Sequence, residues 1–188
     1  FDALSKPTLL IARCPGASLS IAPRKQREAE LVEAIRGGLE SGRDVLLPAD
    51  AAGRVLELVL LLEQTWRSDF RLRRFPVVLA GPLAPNTLEY AKSQLEWMGE
   101  DVAALFDASH ANPFSLRAVR VVRTIDEVLR LPSPKVVLTS SASANSGLSA
   151  RLLAASCQSA SVLTLFTQRP PRGSPAEALL TGAARDGL

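Results

Sequence analysis

Asp44-Val45-Leu46-Leu47-Pro48-Ala49-Asp50-Ala51-Ala52-Gly53-Arg54-Val55-Leu56-Glu57-Leu58 changes its period once, and that change decides the fold class. Residues 44–48 are a short run of mostly apolar side chains, as in a strand buried on both faces. From Val55 onward the apolar positions are Val55, Leu58, Val59, Leu62 and Trp66, one stripe of a helix. The turn between them is made of small residues, with Asp50 expected as the helix N-cap. Two readings of the turn stay open. Asp50 simply caps and Gly53 lets helix and sheet pack closely, or the small residues let a phosphate approach the helix N-terminus with Arg54 as its fork. Gly-x-Gly-x-x-Gly is absent and no Gly-Lys-Ser/Thr follows, so neither common nucleotide-binding fingerprint applies.

The same alternation extends in both directions. Thr8-Leu9-Leu10-Ile11-Ala12 reads as a buried strand, broken by Cys14-Pro15-Gly16. After Pro23, Leu31, Ile35 and Leu39 make the stripe of a helix that Ser41-Gly42 ends. Phe75-Pro76-Val77-Val78-Leu79-Ala80-Gly81 is the next strand, followed by a helix over 86–106. Ala118-Val119-Arg120-Val121-Val122 alternates, as a strand with one polar face does. A short helix over 125–131, a strand at Lys135-Val136-Val137-Leu138-Thr139 and a helix over 147–156 follow. Ser161-Val162-Leu163-Thr164-Leu165-Phe166 is the last strand, and a short helix lies near 175–180. Short apolar strands alternating with helices predict an α/β fold: a Rossmann-like parallel sheet with helices on both faces.

Composition bounds the function. With 188 residues, 47% hydrophobic and 22% charged, the chain is one globular domain by the usual ~100–200 residues per domain, and disorder is excluded as its dominant state. No apolar run approaches the ~18–20 residues of a membrane-spanning helix, so no membrane partner is expected. Cys14 and Cys157 make neither a disulfide framework nor a zinc-finger pattern. With His110 as the lone histidine, in a turn-like stretch, a self-contained His-rich metal site or a His-dependent triad is excluded, and no Gly-x-Ser-x-Gly elbow exists. The chain by itself does not look like a catalyst, and no cofactor is expected. It starts at Phe1 rather than Met and reads as a segment of a longer protein, with further chemistry expected outside it.

The net charge of +3 comes wholly from residues 101–188, and arginines outnumber lysines 18 to 4. Arginine is the better fork for phosphate, yet so small a net charge is poor support for nucleic acid. Arg24-Lys25-Gln26-Arg27 is a basic cluster at a helix start, where it opposes the dipole; it is either solvated or used. Ser140-Ser141-Ala142-Ser143-Ala144-Asn145-Ser146-Gly147-Leu148-Ser149 follows a strand and precedes a helix, at the sheet edge where such folds bind ligands. Its hydroxyls suit a sugar-phosphate backbone or merely cap a loop. Trp66, Tyr90, Trp97 and Phe114 are scattered apolar anchors, not a stacking platform interleaved with basic residues.

Several stretches, taken in order, carry a family resemblance. They are Leu4-Ser5-Lys6-Pro7, Ala22-Pro23-Arg24-Lys25-Gln26-Arg27-Glu28, Asp50-Ala51-Ala52-Gly53-Arg54-Val55-Leu56-Glu57-Leu58 and Leu61-Leu62-Glu63-Gln64-Thr65-Trp66. Lys92-Ser93-Gln94-Leu95-Glu96-Trp97-Met98, Asn112-Pro113-Phe114, Pro132-Ser133-Pro134-Lys135-Val136-Val137-Leu138 and Ser146-Gly147-Leu148-Ser149 continue the series. Over roughly residues 4–168 the chain resembles the β-CASP domain inserted in metallo-β-lactamase-fold nucleases that act on RNA and DNA. It is most similar to the branch serving eukaryotic pre-mRNA cleavage and polyadenylation. The resemblance implies that residues 1–13 end the flanking metallo-β-lactamase-type domain and that 14–188 are the β-CASP domain. It implies metal ligands outside this chain, an RNA path between the two domains and a nuclear location. It also implies a catalytic paralogous nuclease subunit and other 3′-end processing factors as partners.

Active members of the family carry an acidic residue at the end of the strand matching 9–12, and Arg13 stands there instead. A cation can neither accept a proton nor orient a ligand histidine as a carboxylate does. The implied role is therefore that of a catalytically silent scaffold, with pre-mRNA held weakly through its backbone by Arg54, Arg24, Lys25, Ser140 and Ser146. The alternative is an active zinc-dependent endoribonuclease whose metal ligands lie outside the segment.

Overall fold

A computed structural model of the chain describes residues 8, 9, 22–99, 106, 111–156 and 160–182. Arg13, Cys14, His110, Cys157 and most of the strand expected at 8–12 lie outside them. So does the tail from residue 183 onward.

The first helix, α1 (Arg24–Glu40), buries Ile35 and Leu39 as the stripe requires. It also buries Gly38, where an added Cβ would sit 2.9 Å from both Leu163 Cδ2 and Val45 Cγ2. Glycine there brings the helix backbone down onto the sheet. Ser41 and Gly42 end the helix, Gly42 at φ +79°. Strand β1 (Asp44–Pro48) leads to α2 (Arg54–Ser68), and β2 (Val77–Ala80) to α3 (Ala84–Ser93). Then come β3 (Val119–Val122), α4 (Ile125–Leu129), β4 (Val136–Thr139), α5 (Gly147–Ser156), β5 (Val162–Thr164) and α6 (Pro175–Thr181).

The five strands form one sheet in the order β3-β2-β4-β1-β5, every pair parallel. Val45 and Leu47, Val77 and Leu79, Val136 and Leu138 face one core with α1, α2 and α3. Their neighbours Leu46, Val78, Ala80 and Val137 face a second core with Val128 of α4 and Leu148 and Leu152 of α5. Side chains alternate across a strand, so a strand covered on both sides must be apolar throughout, as β1, β2 and β4 are. The steps β1 to β2 and β2 to β3 go one way across the sheet, over the first face. The steps β3 to β4 and β4 to β5 go the other way, over the second. Reversing direction and face together keeps all four crossovers of one hand, as the handedness rule for parallel strands demands. The expected Rossmann-like α/β fold is what the chain adopts.

Three local expectations change. The helix expected over 86–106 ends at Ser93 and gives way to a 3₁₀ turn at Leu95–Trp97. Asn112 Nδ2 donates to the Lys92 carbonyl at 2.9 Å at that point. Among the described residues β3 pairs on one side alone, and Val121 joins Arg120 on its exposed surface rather than alternating with it. Asp50 is not the N-cap of α2. Gly53 holds that position at φ +68° without a side-chain cap, and the Asp50 carboxylate accepts from Gln168 Nε2 at 2.9 Å instead.

Candidate functional site

The loops that leave β1 and β4 depart over opposite faces of the sheet, so the carboxyl ends of these neighbouring strands are where a crevice forms in a doubly wound fold. Residues 49–53 and 140–146 border it. α1 and α2 run antiparallel to β1, on either side of it in sequence, so their first turns lie toward the same edge. The topology therefore brings Arg24 and Lys25 of α1, Arg54 of α2, and Ser140 and Ser146 of the hydroxyl-rich loop to one edge of the sheet. A recess of about 80 Å³ lies there between Ala51, Val55, Gly81, Leu83 and Ser140.

The cations at this edge carry local partners. Arg54 Nη1 donates to Glu57 Oε2 at 2.5 Å, one turn along α2. Arg24 Nε donates to Glu28 Oε1 at 2.7 Å. Lys25 is exposed and forms no ion pair among the described residues. A phosphate approaching Arg54 has to share it with a carboxylate, so the site is a weak anion fork.

The hydroxyl-rich loop is less open than its composition suggests. Ser141 Oγ lies 2.9 Å from Ser143 Oγ. Ser149, the last residue of the stretch singled out from the sequence, is fully buried; it accepts from the Ser141 amide at 2.7 Å and donates to the Ser146 carbonyl at 3.3 Å. The Ser140 carbonyl accepts from the Ser149 amide at 3.0 Å. The Ala176 amide donates to the Ser143 carbonyl at 3.2 Å, which ties the loop to α6. The side-chain hydroxyls of Ser140 and Ser146 form no hydrogen bond among the described residues. Asp50 and Gln168 close the edge by linking the loops after β1 and β5.

A buried carboxylate was not anticipated. Glu63 on α2 is 5% exposed and accepts from the amides of Arg117 and Ala118, each at 2.9 Å, and of Val119 at 3.0 Å. It holds the lead-in to β3, and its role is structural. Among the described residues no group of three or more His, Cys, Asp or Glu side chains is arranged to hold a metal ion. They offer no ligand set for the zinc implied by the resemblance.

The Beta-Casp domain profile matches residues 55–179. The chain is 37% identical over 188 residues to the probable cleavage and polyadenylation specificity factor subunit 2 of Caenorhabditis elegans, a match covering 98% of this chain and 22% of that protein. It is 39% identical over 157 residues to cleavage and polyadenylation specificity factor subunit 2 of Arabidopsis thaliana, covering 83% of this chain and 21% of that protein. Endoribonuclease ysh1 of Schizosaccharomyces pombe is 30% identical over 148 residues, covering 79% of this chain and 19% of that protein. The chain thus spans about a fifth of the length of these curated relatives.

Proposed function

Since the chain belongs to the Beta-Casp domain family, we propose that it is the β-CASP domain of a non-catalytic scaffold subunit in the nuclear machinery that cleaves and polyadenylates pre-mRNA. The observation that carries this reading is the difference in identity. Relatives named as specificity factor subunit 2 stand at 32–39%, and those named as endoribonucleases at 29–30%. Arg13, in place of the acidic residue of active members, supports catalytic silence. In this reading the carboxyl edge lines an RNA path, and a catalytic nuclease subunit of like architecture is the principal partner. Because Arg54 shares its charge with Glu57, RNA is held there weakly, through phosphate, with little preference for sequence.

The endoribonuclease-named relatives keep a second reading in play: an active zinc-dependent endoribonuclease with its metal ligands outside this chain. A cleavage assay separates the two. The intact protein is incubated with a labelled pre-mRNA 3′-end substrate and added zinc, with and without chelator. The scaffold reading expects no cleavage in either arm; zinc-dependent cleavage abolished by chelator establishes the enzyme instead. In a separate titration at low salt, Arg54→Ala is expected to weaken oligouridylate binding by about threefold, as fits a partly neutralised exposed cation. An unchanged affinity makes Arg54 a purely structural partner of Glu57.

A further inference from the structure

A groove of about 700 Å³ opens at the opposite, amino-terminal end of the sheet, beside Pro76 before β2, Ala118 before β3 and Pro132 before β4. Arg67, Arg73, Arg74, Arg117 and Arg120 line it. All five are exposed, and none forms an ion pair with a carboxylate among the described residues. Two nearby acids, Asp69 and Glu63, are engaged elsewhere, while Glu40 lines a neighbouring recess with Arg74. Asp69 is held by Arg36 and Arg71, each at 3.1 Å, and Glu63 is filled by three main-chain amides. The floor is apolar, with Trp66 and Phe75 buried beneath the rim and the Arg74 guanidinium 4.5 Å above the Phe75 ring.

Five guanidinium groups without carboxylates, on one concave surface, repel one another and are poised for an anion. Arginine in place of lysine favours the planar, bidentate recognition of phosphate. Beside them stands Phe70, 77% exposed, on the turn that carries Arg73, whose amide donates to the Phe70 carbonyl at 3.3 Å. An exposed ring on the turn next to the groove, outside its lining, adds a stacking surface for bases, which an acidic peptide does not need. From these features we infer that the amino-terminal edge is a second RNA-binding surface, separate from the carboxyl edge. It takes the phosphate backbone of single-stranded RNA in the arginine groove and stacks a base on Phe70.

The inference does not depend on the carboxyl-edge reading, and the variants keep the two apart. Binding of a fluorescein-labelled oligouridylate of about 15 nucleotides to the intact protein is followed by anisotropy across a salt series. The double variant Arg117→Glu with Arg120→Glu is expected to bind about tenfold more weakly or worse. Its slope of log affinity against log salt should be shallower by about 1.4, the share of two phosphate contacts on a single strand. Phe70→Leu is expected to lose about fivefold with the slope unchanged. Arg54→Ala, at the other edge, reports only on the carboxyl-edge proposal. Unchanged affinity and slope in the double variant overturn the inference. A labelled oligoglutamate that binds more tightly than the oligouridylate and is lost in the same double variant also overturns it, and makes the groove a protein-docking site. Should the charge reversals disturb folding, Phe70→Leu decides the matter: unchanged binding overturns the inference and the fivefold loss upholds it.

Discussion

At the carboxyl ends of the strands, most polar groups are neutral and answer one another: Ser141 to Ser143, Ser149 to the Ser141 amide, the Ser143 carbonyl to the Ala176 amide. Two of the cations there, Arg24 and Arg54, sit against a glutamate on their own helix. At the amino ends the balance is reversed. Glu63 is buried on three amides, and Lys135 is buried with its Nζ 2.9 Å from Asp44 Oδ2. Five arginines line a groove with no carboxylate against them. Both edges close the same sheet, but one does so with short dipoles and the other with ionised groups. An edge held by dipoles loses little when one partner goes. An edge held by buried ions loses much, because each departure strands a desolvated group.

The steepest test of that contrast is Glu63→Ala. It removes the acceptor for three main-chain amides at the start of β3. At about 1–3 kcal/mol for each buried donor left without a partner, and with water able to reach some of them, the expected loss is about 3–5 kcal/mol. Urea denaturation monitored by tryptophan fluorescence measures it. Glu63→Gln keeps one carbonyl acceptor and is expected to lose about half as much. A loss below about 1 kcal/mol for Glu63→Ala would break the comparison, since the buried carboxylate would then be no costlier to remove than a hydroxyl.

Its counterpart at the carboxyl edge is Ser149→Ala. The Ser149 hydroxyl accepts from the Ser141 amide at 2.7 Å and donates to the Ser146 carbonyl at 3.3 Å. Ser141 and Ser146 lie in a loop that water reaches, so the stranded groups are rehydrated. The expected cost is about 1 kcal/mol, within the range for a single neutral hydrogen bond. The same denaturation series reads it. A loss equal to that of Glu63→Ala would make the two edges energetically alike.

Periodicity alone brings out the parts of this fold whose surroundings are uniform. β1, β2 and β4 are covered on both faces, so their apolar runs needed no tertiary information. The ends of α1 were marked locally by Pro23 and by Ser41-Gly42. Two of the departures share one cause, a partner far away in the chain. Asp50 has the chemistry of a cap but answers Gln168, 118 positions on. The helix after β2 stops where Asn112, 20 positions on, takes the Lys92 carbonyl. Arg54, expected as a phosphate fork or a structural pair, meets Glu57 three residues later, where helical spacing places the two side by side. Two other features left traces that could have been followed. Glu63 is an acid on the buried stripe between Val59 and Trp66, and a charge there calls for a partner. Arg67, Arg71, Arg73 and Arg74 crowd into eight residues around Phe70, but only the fold adds Arg117 and Arg120 to the same groove.

The smallest effect concerns Asp69, whose turn carries the exposed Phe70 ring and leads to two of the groove's arginines. The Arg71 side chain forks onto the Asp69 carboxylate, Nε to Oδ1 at 3.2 Å and Nη2 to Oδ2 at 3.1 Å, and the Arg71 amide adds a bond to Oδ1 at 2.9 Å. Chiefly through that side-chain fork, then through the amide, the carboxyl is held below its ordinary value of 3.8, against a smaller opposing effect of burial. A folded value below the unfolded one stabilises the native state at any pH above 3.8. That contribution is lost as pH falls below 3.8 and through the folded value. Asp69→Asn should therefore melt slightly below the parent at about pH 6, and the difference should shrink toward zero as pH is lowered below 3.8. The amide oxygen can still accept from the Arg71 main chain, which keeps the turn in place while the ionic fork is lost. Thermal melts of both proteins over that pH range make the measurement. A gap that widens toward low pH has the wrong sign for a depressed carboxylate, and would mean that the turn carrying Phe70, Arg73 and Arg74 is held by something other than the Asp69–Arg71 fork.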